Sequence, residues 1–320
     1  MVEIAKELLA DLDVMTSDNM INGGLLAAVT LGSNSFNLLL AKPNPQGIPQ
    51  VVAKHKRKVR LADGMTAQGA LGDEAFARGL ECLSWFGDIL RSAEVAGVEV
   101  LATAALRYAN NGDAFCQQAL PLLGYPIEVI SGDREAELIY QGMRACSQVD
   151  GTALVIDIGG ASTELVVGDE TSIGFKHSFE LGCVSYNQQF LSQGCLSASF
   201  DSIHQAVTKA LAPQMEKLLA QPWQHCLGVS GTVRSLFELK ESGWLPQGLV
   251  TRAELQEVKR QLCHDPQPIF ASLDAERRPT FVAGVAILLA LFELLHIDGL
   301  DLAGGALREG VLVQLQANCC

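Results

Sequence analysis

Two short stretches of this chain combine glycine, serine and threonine in a pattern suited to gripping phosphate. One reads Val29-Thr30-Leu31-Gly32-Ser33-Asn34-Ser35-Phe36-Asn37-Leu38-Leu39-Leu40 and the other Ile156-Asp157-Ile158-Gly159-Gly160-Ala161-Ser162-Thr163-Glu164-Leu165-Val166-Val167. Gly32 and Gly159 stand 127 positions apart, so the chain carries the same device twice. Each copy is an apolar strand, a tight polar turn and a second apolar strand. Glycine lets backbone come close to a ligand. Successive N–H groups in such a turn form a concave anion site, and Ser and Thr hydroxyls add donors. A single copy would read as an ordinary hairpin; two copies point to a phosphate chain held between two related lobes. Gly231 and Thr232, in Gly228-Val229-Ser230-Gly231-Thr232, supply a third turn of this kind. Arg107 follows a Thr-Ala-rich turn and is suited either to a bidentate grip on phosphate or to a structural ion pair.

The elements that must position these turns alternate between strand and helix. Residues 73–95 carry apolar positions at helical spacing (Phe76, Leu80, Leu83, Phe86, Ile89, Leu90). Strands are expected over Val98–Ala104 and Ile127–Ile130, a helix from Asp133 through Gln141, a strand at Leu300–Leu302 and a last helix from about Leu307. Thr251 and Glu254 form a capping-box pattern at the start of another helix. Residues 1–20 also read as a helix. Lys54-His55-Lys56-Arg57-Lys58-Val59-Arg60 is a basic strand, either a charge-protected edge or a surface that draws in a polyanion. His264-Asp265 reads as loop, not metal site. The alternation implies α/β units around sheets.

The chain has 320 residues, 48% of them hydrophobic and 18% charged, enough for two domains with packed cores. A net charge of −13 argues against a nucleic-acid partner. The apolar stretch around Phe281–Phe292 is too short to span a bilayer, so no membrane partner is expected. Nine cysteines without a CxxC spacing, in a chain with no signal-like start, point to reduced thiols and a cytoplasmic location.

Seven segments in order carry a resemblance: LGSNSFNLLLA (31–41), ATAALR (102–107), VISGDREAELIYQG (129–142), LVIDIGGASTELVVG (154–168), ELGCVS (180–185), VSGTVRSL (229–236) and LAGGALREG (302–310). In these the chain resembles the exopolyphosphatase / guanosine pentaphosphate phosphatase family of the actin, hexokinase and Hsp70 superfamily. KRKVRLADG, GGASTEL and LAGGALREG are most similar to the guanosine pentaphosphate phosphatase branch. The resemblance implies an α/β fold of two RNase H-like lobes with a cleft between them, 22–142 and 150–305, and helix 306–320 packing back on the first. It implies removal of the terminal phosphate from guanosine pentaphosphate, inorganic polyphosphate or both. Glu135 matches the family's catalytic carboxylate, with Glu137 left on the surface. Asp157 is the expected ligand of Mg²⁺ or another divalent cation, or else a buried cap of its own turn. Glu164 is a further carboxylate, either on the metal side or one step behind the residues that touch the ion. Arg277 and Arg278 resemble a family arginine that reaches the cleft, while Arg308 and Glu309 read as structural. Three departures stand out. Thr30 replaces the family Asp of the first strand, Asn37 stands where relatives carry Arg or His, and the C-terminal helical region of longer relatives is missing. The implied form is either a short two-domain one or a longer chain cut at that point, and a homodimer is possible. A superfamily kinase and a non-catalytic sensor of the same ligands are the competing functions.

Overall fold

The computed structural model describes residues 24–319 apart from 46, 193, 195 and 196; the helix expected over residues 1–20 lies outside them. A first sheet contains β1 (Leu25–Leu31), β2 (Ser35–Lys42), β3 (Gln50–Lys58), β4 (Val95–Ala102) and β5 (Glu128–Val129), in the order β3-β2-β1-β4-β5. β1 to β3 form an antiparallel meander, and β4 and β5 continue parallel to β1. A second sheet contains β6 (Ala153–Ile158), β7 (Thr163–Gly168), β8 (Ile173–Phe179), β9 (His225–Gly228), β10 (Val250–Thr251) and β11 (Gly299–Leu302). Its order is β10-β11-β9-β6-β7-β8. Leaving out β10, the second sheet repeats the first: an antiparallel meander β6-β7-β8, then β9 and β11 parallel to β6. The duplication seen in the hairpins therefore extends to the whole sheet.

The strands behave as their residues require. β1 is covered on both faces: Ala27, Val29 and Leu31 pack under the helices Asp73–Ser92 and Gly112–Leu123, Leu26 and Ala28 on the other side. Such a strand reads as a continuous apolar run. β3, the lysine-rich segment, is the sheet edge, where charge discourages pairing with another chain. The expected strand at Ile127–Ile130 shortens to Glu128–Val129, because Ser131 already caps the next helix, accepting a hydrogen bond from Arg134 N–H at 3.2 Å. Arg107 lies in a short helix, Ala104–Tyr108, that precedes the longer one at Gly112–Leu123.

The helix Gly132–Cys146 is shared by both sheets. Leu138 packs with Leu26, Leu39 and Leu101 of the first, while Ala136, Ile139 and Met143 pack with Val155, Val166 and Leu227 of the second. The final helix, Leu307–Cys319, returns against it, with Val311 and Leu312 beside Leu26 and Ala28. The two helices touch almost backbone to backbone. A Cβ on Gly310 would collide with the Leu138 carbonyl, and one on Gly142 with the Ala306 carbonyl. This contact fixes the helix whose first turn carries Glu135.

The apolar run Phe281–Phe292 is the central helix of the second sheet's other face, part of Arg278–Leu294, and is buried all round. Among the described residues no helix is long and apolar enough to cross a membrane. The capping box forms: Glu254 N–H donates to Thr251 Oγ1 at 3.3 Å, and Thr251 N–H to Glu254 Oε2 at 2.7 Å. The other oxygen, Oε1, accepts from the buried Lys240 Nζ at 2.6 Å, tying this helix to Gly231–Glu241. His264 is the last residue of that capped helix.

Candidate active site

Both polar turns close in the same way. Gly32 N–H donates to Ser35 O at 3.1 Å, and Gly159 N–H to Ser162 O at 2.8 Å. Thr30 pairs with Asn37 across the first hairpin as Asp157 pairs with Glu164 across the second. The turns face each other: a Cβ on Gly160 would stand 3.1 Å from Ser33 Cβ and 3.7 Å from Asn34 N. Each is braced from behind through its carbonyls. Arg60 and Ala62 N–H donate to Asn34 and Ser33 O at 3.0 and 2.9 Å, and Cys183 and Val184 N–H to Gly159 and Gly160 O, both at 2.9 Å. The Gly32 and Gly159 N–H groups close their own turns, so the N–H groups left for a ligand are those at the intervening turn positions.

The cleft between them has a volume of about 300 Å³. Gly32, Ser33, Asn34 and Ser35 line one wall, Gly159, Gly160 and Ser162 the opposite one, and Gly231 and Thr232 a third side. Ser230 caps the helix starting at Gly231 by accepting from Val233 N–H at 3.3 Å, so the end of that helix opens on the cleft. A helix N-terminus in this position favours an anion. Glu135 and Asp157 are in the lining, as are Lys56, Lys58, Arg234, Arg277 and Arg308.

Several expected residues are elsewhere. Thr163 is fully buried and donates its hydroxyl to Leu181 O, a consequence of its inward place on β7. Ala161 packs against Gly182 and is absent from the lining. Arg278 donates from Nε and Nη2 to Leu273 O, at 3.3 and 3.2 Å, at the start of its helix. Arg277 is the arginine that reaches the cleft, anchored through Nη1 to Glu238 at 2.7 Å and Ser235 at 3.3 Å. Arg107 stands behind Glu135 instead of in the cleft. Its Nη1 donates to Glu135 Oε2 at 3.2 Å and to Ile130 O at 2.9 Å. Its Nη2 is the one buried side-chain nitrogen or oxygen among the described residues without a hydrogen-bond partner. Glu137 faces outward and pairs with Arg134 and Lys176.

Arg308, structural by the sequence expectation, lines the cleft and donates to Asn37 Oδ1 at 3.4 Å. Asn37 in turn donates to Thr30 Oγ1 at 3.5 Å. The two departures from the family pattern thus form one chain, Arg308–Asn37–Thr30. Arg234 was also missed. Its signal is its place in the first turn of a helix that follows a Gly/Ser turn.

The electrostatics divide into two groups. Burial raises Glu135 above the usual carboxylate range, against the opposing effect of Arg107 and a hydrogen bond from Thr103. Burial also pushes Asp157 up to about 7, helped by the charge of Glu135 and opposed by Arg308. Glu164 is raised well above its ordinary value by burial, then by Glu135 and Asp157. Ser178 donates to it at 2.7 Å. The cations form the second group. Lys56 is held below the usual lysine range by burial and then by Lys58, Arg277 and Arg308. Five cations and two carboxylates line the cleft, with Arg277 and Arg308 also paired to Glu238 and Glu309 beside it. Among the described residues no group of three or more His, Cys, Asp or Glu side chains is placed to hold a metal ion by itself.

Comparison with known proteins adds to this. The model of the Ppx/GppA phosphatase family matches residues 40–318. A protein of Vibrio vulnificus (strain YJ016) named guanosine-5'-triphosphate,3'-diphosphate pyrophosphatase is 41% identical over 303 residues, covering 92% of this chain and 60% of that one. A protein of the same name from Aliivibrio fischeri (strain MJ11) is 40% identical over 294 residues, covering 90% and 58%. The chain therefore spans about three fifths of the length of these relatives. In fold it is similar to an exopolyphosphatase from Cytophaga hutchinsonii (TM-score 0.80, 23% identity, 92% of this chain and 98% of that). The Aquifex aeolicus PPX-GPPA enzyme gives a TM-score of 0.75 at 23% identity, covering 91% and 99%.

Proposed function

The chain belongs to the Ppx/GppA phosphatase family, and from that premise we propose that it is a phosphohydrolase releasing the terminal phosphate of guanosine pentaphosphate, of inorganic polyphosphate, or of both. The observation that carries this reading is the pair of facing phosphate turns with Glu135 between them and Lys56, Arg277 and Arg308 at the same cleft. In the proposed reaction a water oxygen attacks the terminal phosphorus and the bridging P–O bond breaks. The proton passes to Glu135, and the shortened phosphate chain leaves. Catalysis of this kind rests on positioning and charge stabilisation. The turn N–H groups hold the terminal phosphate in line, and Arg308 and Arg277 stabilise its equatorial oxygens. Glu135 deprotonates or orients the water. Arg107 is a positioning residue: it orients the carboxylate and moderates the rise that burial would otherwise impose.

Mg²⁺ fits this donor set. Asp157 is a carboxylate driven up to about 7 by burial first and then by the charge of Glu135, a strain that a cation would relieve. Thr30 offers only a neutral hydroxyl, so Asp157 would hold the ion together with substrate phosphate oxygens and water, the shell Mg²⁺ favours. When bound, the ion would neutralise charge on the phosphate chain. A cytoplasmic location and a homodimer accord with this reading without being required by it.

The test is phosphate release from guanosine pentaphosphate and from long polyphosphate, with and without Mg²⁺. Release from at least one, dependent on Mg²⁺, supports the proposal. Tight binding of both ligands without release would make the chain a sensor, and transfer to an acceptor other than water would make it a kinase.

A further inference from the structure

Three arginines line the cleft, and Arg234 differs from the other two. Arg277 is held by Glu238 and Ser235 of the helix Gly231–Glu241, and Arg308 by Glu309 and Asn37. Arg234 stands on that same helix with its side chain exposed to the cleft. Among the described residues its guanidinium has no ion pair and no hydrogen bond. Glu238, one turn further on, is at the spacing that would pair with it. Arg277 already engages that acid at 2.7 Å.

Nothing local rewards an arginine at this position. Ser230 caps the helix, so Arg234 falls in the first turn, where a positive side chain opposes the helix dipole. Nor can the helix rotate to carry it away. A Cβ on Gly228 would stand 2.5 Å from Val233 Cγ2, and one on Gly284 would collide with Thr232 Oγ1. Val233 is therefore pressed against β9 and Thr232 against the helix Arg278–Leu294, and both are buried. An unpaired guanidinium, held facing a phosphate cleft against its local preference, marks a contact made to ligand.

Its place also says which part of the ligand it meets. The cations that act on Glu135 and Asp157 are Arg107 and Arg308, which defines the reacting end of the cleft. Arg234 belongs instead to the third wall, with Gly231 and Thr232. The volume of about 300 Å³ lies at the lower end of the range for ligand sites, room for a short phosphate chain. We propose that Arg234 is a specificity-determining residue that grips an inner phosphate, one that stays on the shortened product, so that the cleft selects linked phosphate chains over a single phosphate. The inference rests on the phosphohydrolase reading for the placement of the terminal phosphate. It holds alike for an inorganic chain and for the 5' chain of a nucleotide, since both present the same inner phosphates.

Binding calorimetry on the full chain tests it, with inorganic phosphate and a linear triphosphonate as the two probes. The triphosphonate has CH₂ in place of the bridging oxygens, so nothing is cleaved during the titration. Arg234→Gln should weaken the triphosphonate about tenfold or more, the scale of losing a hydrogen bond to a charged group, and leave inorganic phosphate within about twofold. Unchanged phosphate binding also shows that the cleft is folded. Equal weakening of both probes, or no weakening of the triphosphonate, overturns the assignment. Steady-state kinetics then separate the two sources of the chain. Arg234→Gln should raise KM by the same factor for tripolyphosphate and for guanosine pentaphosphate, with the loss in KM rather than kcat, because the phosphate it touches does not react. A loss confined to one of the two substrates, or one carried mainly by kcat, overturns it as well. A chain that releases no phosphate but shows the Arg234-dependent discrimination refutes the hydrolase and leaves the inner-phosphate contact standing.

Discussion

Asp157→Asn should stabilise the protein, and more so as pH rises. The carboxyl moves from 3.8 to about 7 on folding, mainly through burial and then through the charge of Glu135, with Arg308 opposing. Because the folded value is the higher one, the folded state holds this proton more tightly. The group's favourable contribution is complete below about pH 4 and is lost as pH rises through about 7. A shift of this size corresponds to an upper limit of about 4 kcal/mol. Water in the cleft reaches Asp157, which lines it, so we expect about 1–2 kcal/mol in practice. The amide of Asn carries no charge at any pH. It also removes one of the charges that raise Glu164. Thermal melts at pH 8 should show the variant ahead by about 2–4 °C, with the gain vanishing at pH 4. Millimolar Mg²⁺ added with inorganic tripolyphosphate should raise the wild-type melting temperature at pH 8 more than tripolyphosphate alone, and should add nothing in Asp157→Asn. A variant less stable than wild type at pH 8, or equally sensitive to Mg²⁺, would refute both the charge argument and the assignment of Asp157.

Thr30→Asp should lower the Mg²⁺ concentration needed for half-maximal phosphate release, since it supplies the missing carboxylate beside Asp157; an unchanged Mg²⁺ titration would show that the Arg308–Asn37–Thr30 chain serves packing alone. Gly310→Val should cost about 3 kcal/mol or more and reduce release in parallel, because the Leu138 carbonyl occupies the space of its side chain. A denaturant titration reads this, and a cost below about 1 kcal/mol would mean the two helices separate easily. The acid limb of kcat/KM should lie above the ordinary carboxylate range, because burial raises Glu135 and the base must be ionised. A profile flat down to pH 4.5 would remove Glu135 from the role.

The duplicated hairpins, the capping box at Thr251 and the last helix from Leu307 were legible because each rests on residues close in sequence. The site's cations were harder to read. Arg107 and Glu135 lie 28 positions apart and meet only because β4 and β5 bring Ala104–Tyr108 beside the turn at Ser131. Arg308 points into the cleft because its helix returns along Gly132–Cys146, a path set by Gly142 and Gly310 packing and by nothing local to Arg308. Arg277 and Arg278 are adjacent, and which one faces the cleft depends on where the helix begins. Thr163 matched a phosphate-turn composition, but strand pairing directs it inward to Leu181. The long-range groups, then, are those the sequence left undecided.

Glu135→Gln tests the central claim most directly. The substitution preserves shape and a hydrogen bond to Arg107 while abolishing basicity, so guanosine pentaphosphate and polyphosphate should bind with affinities close to wild type. Phosphate release, followed at saturating substrate and Mg²⁺, should fall about 10²-fold or more. Release within about threefold of wild type, far smaller than the loss of a general base, would contradict the account, because the cleft would then be turning over substrate without the carboxylate around which it is built.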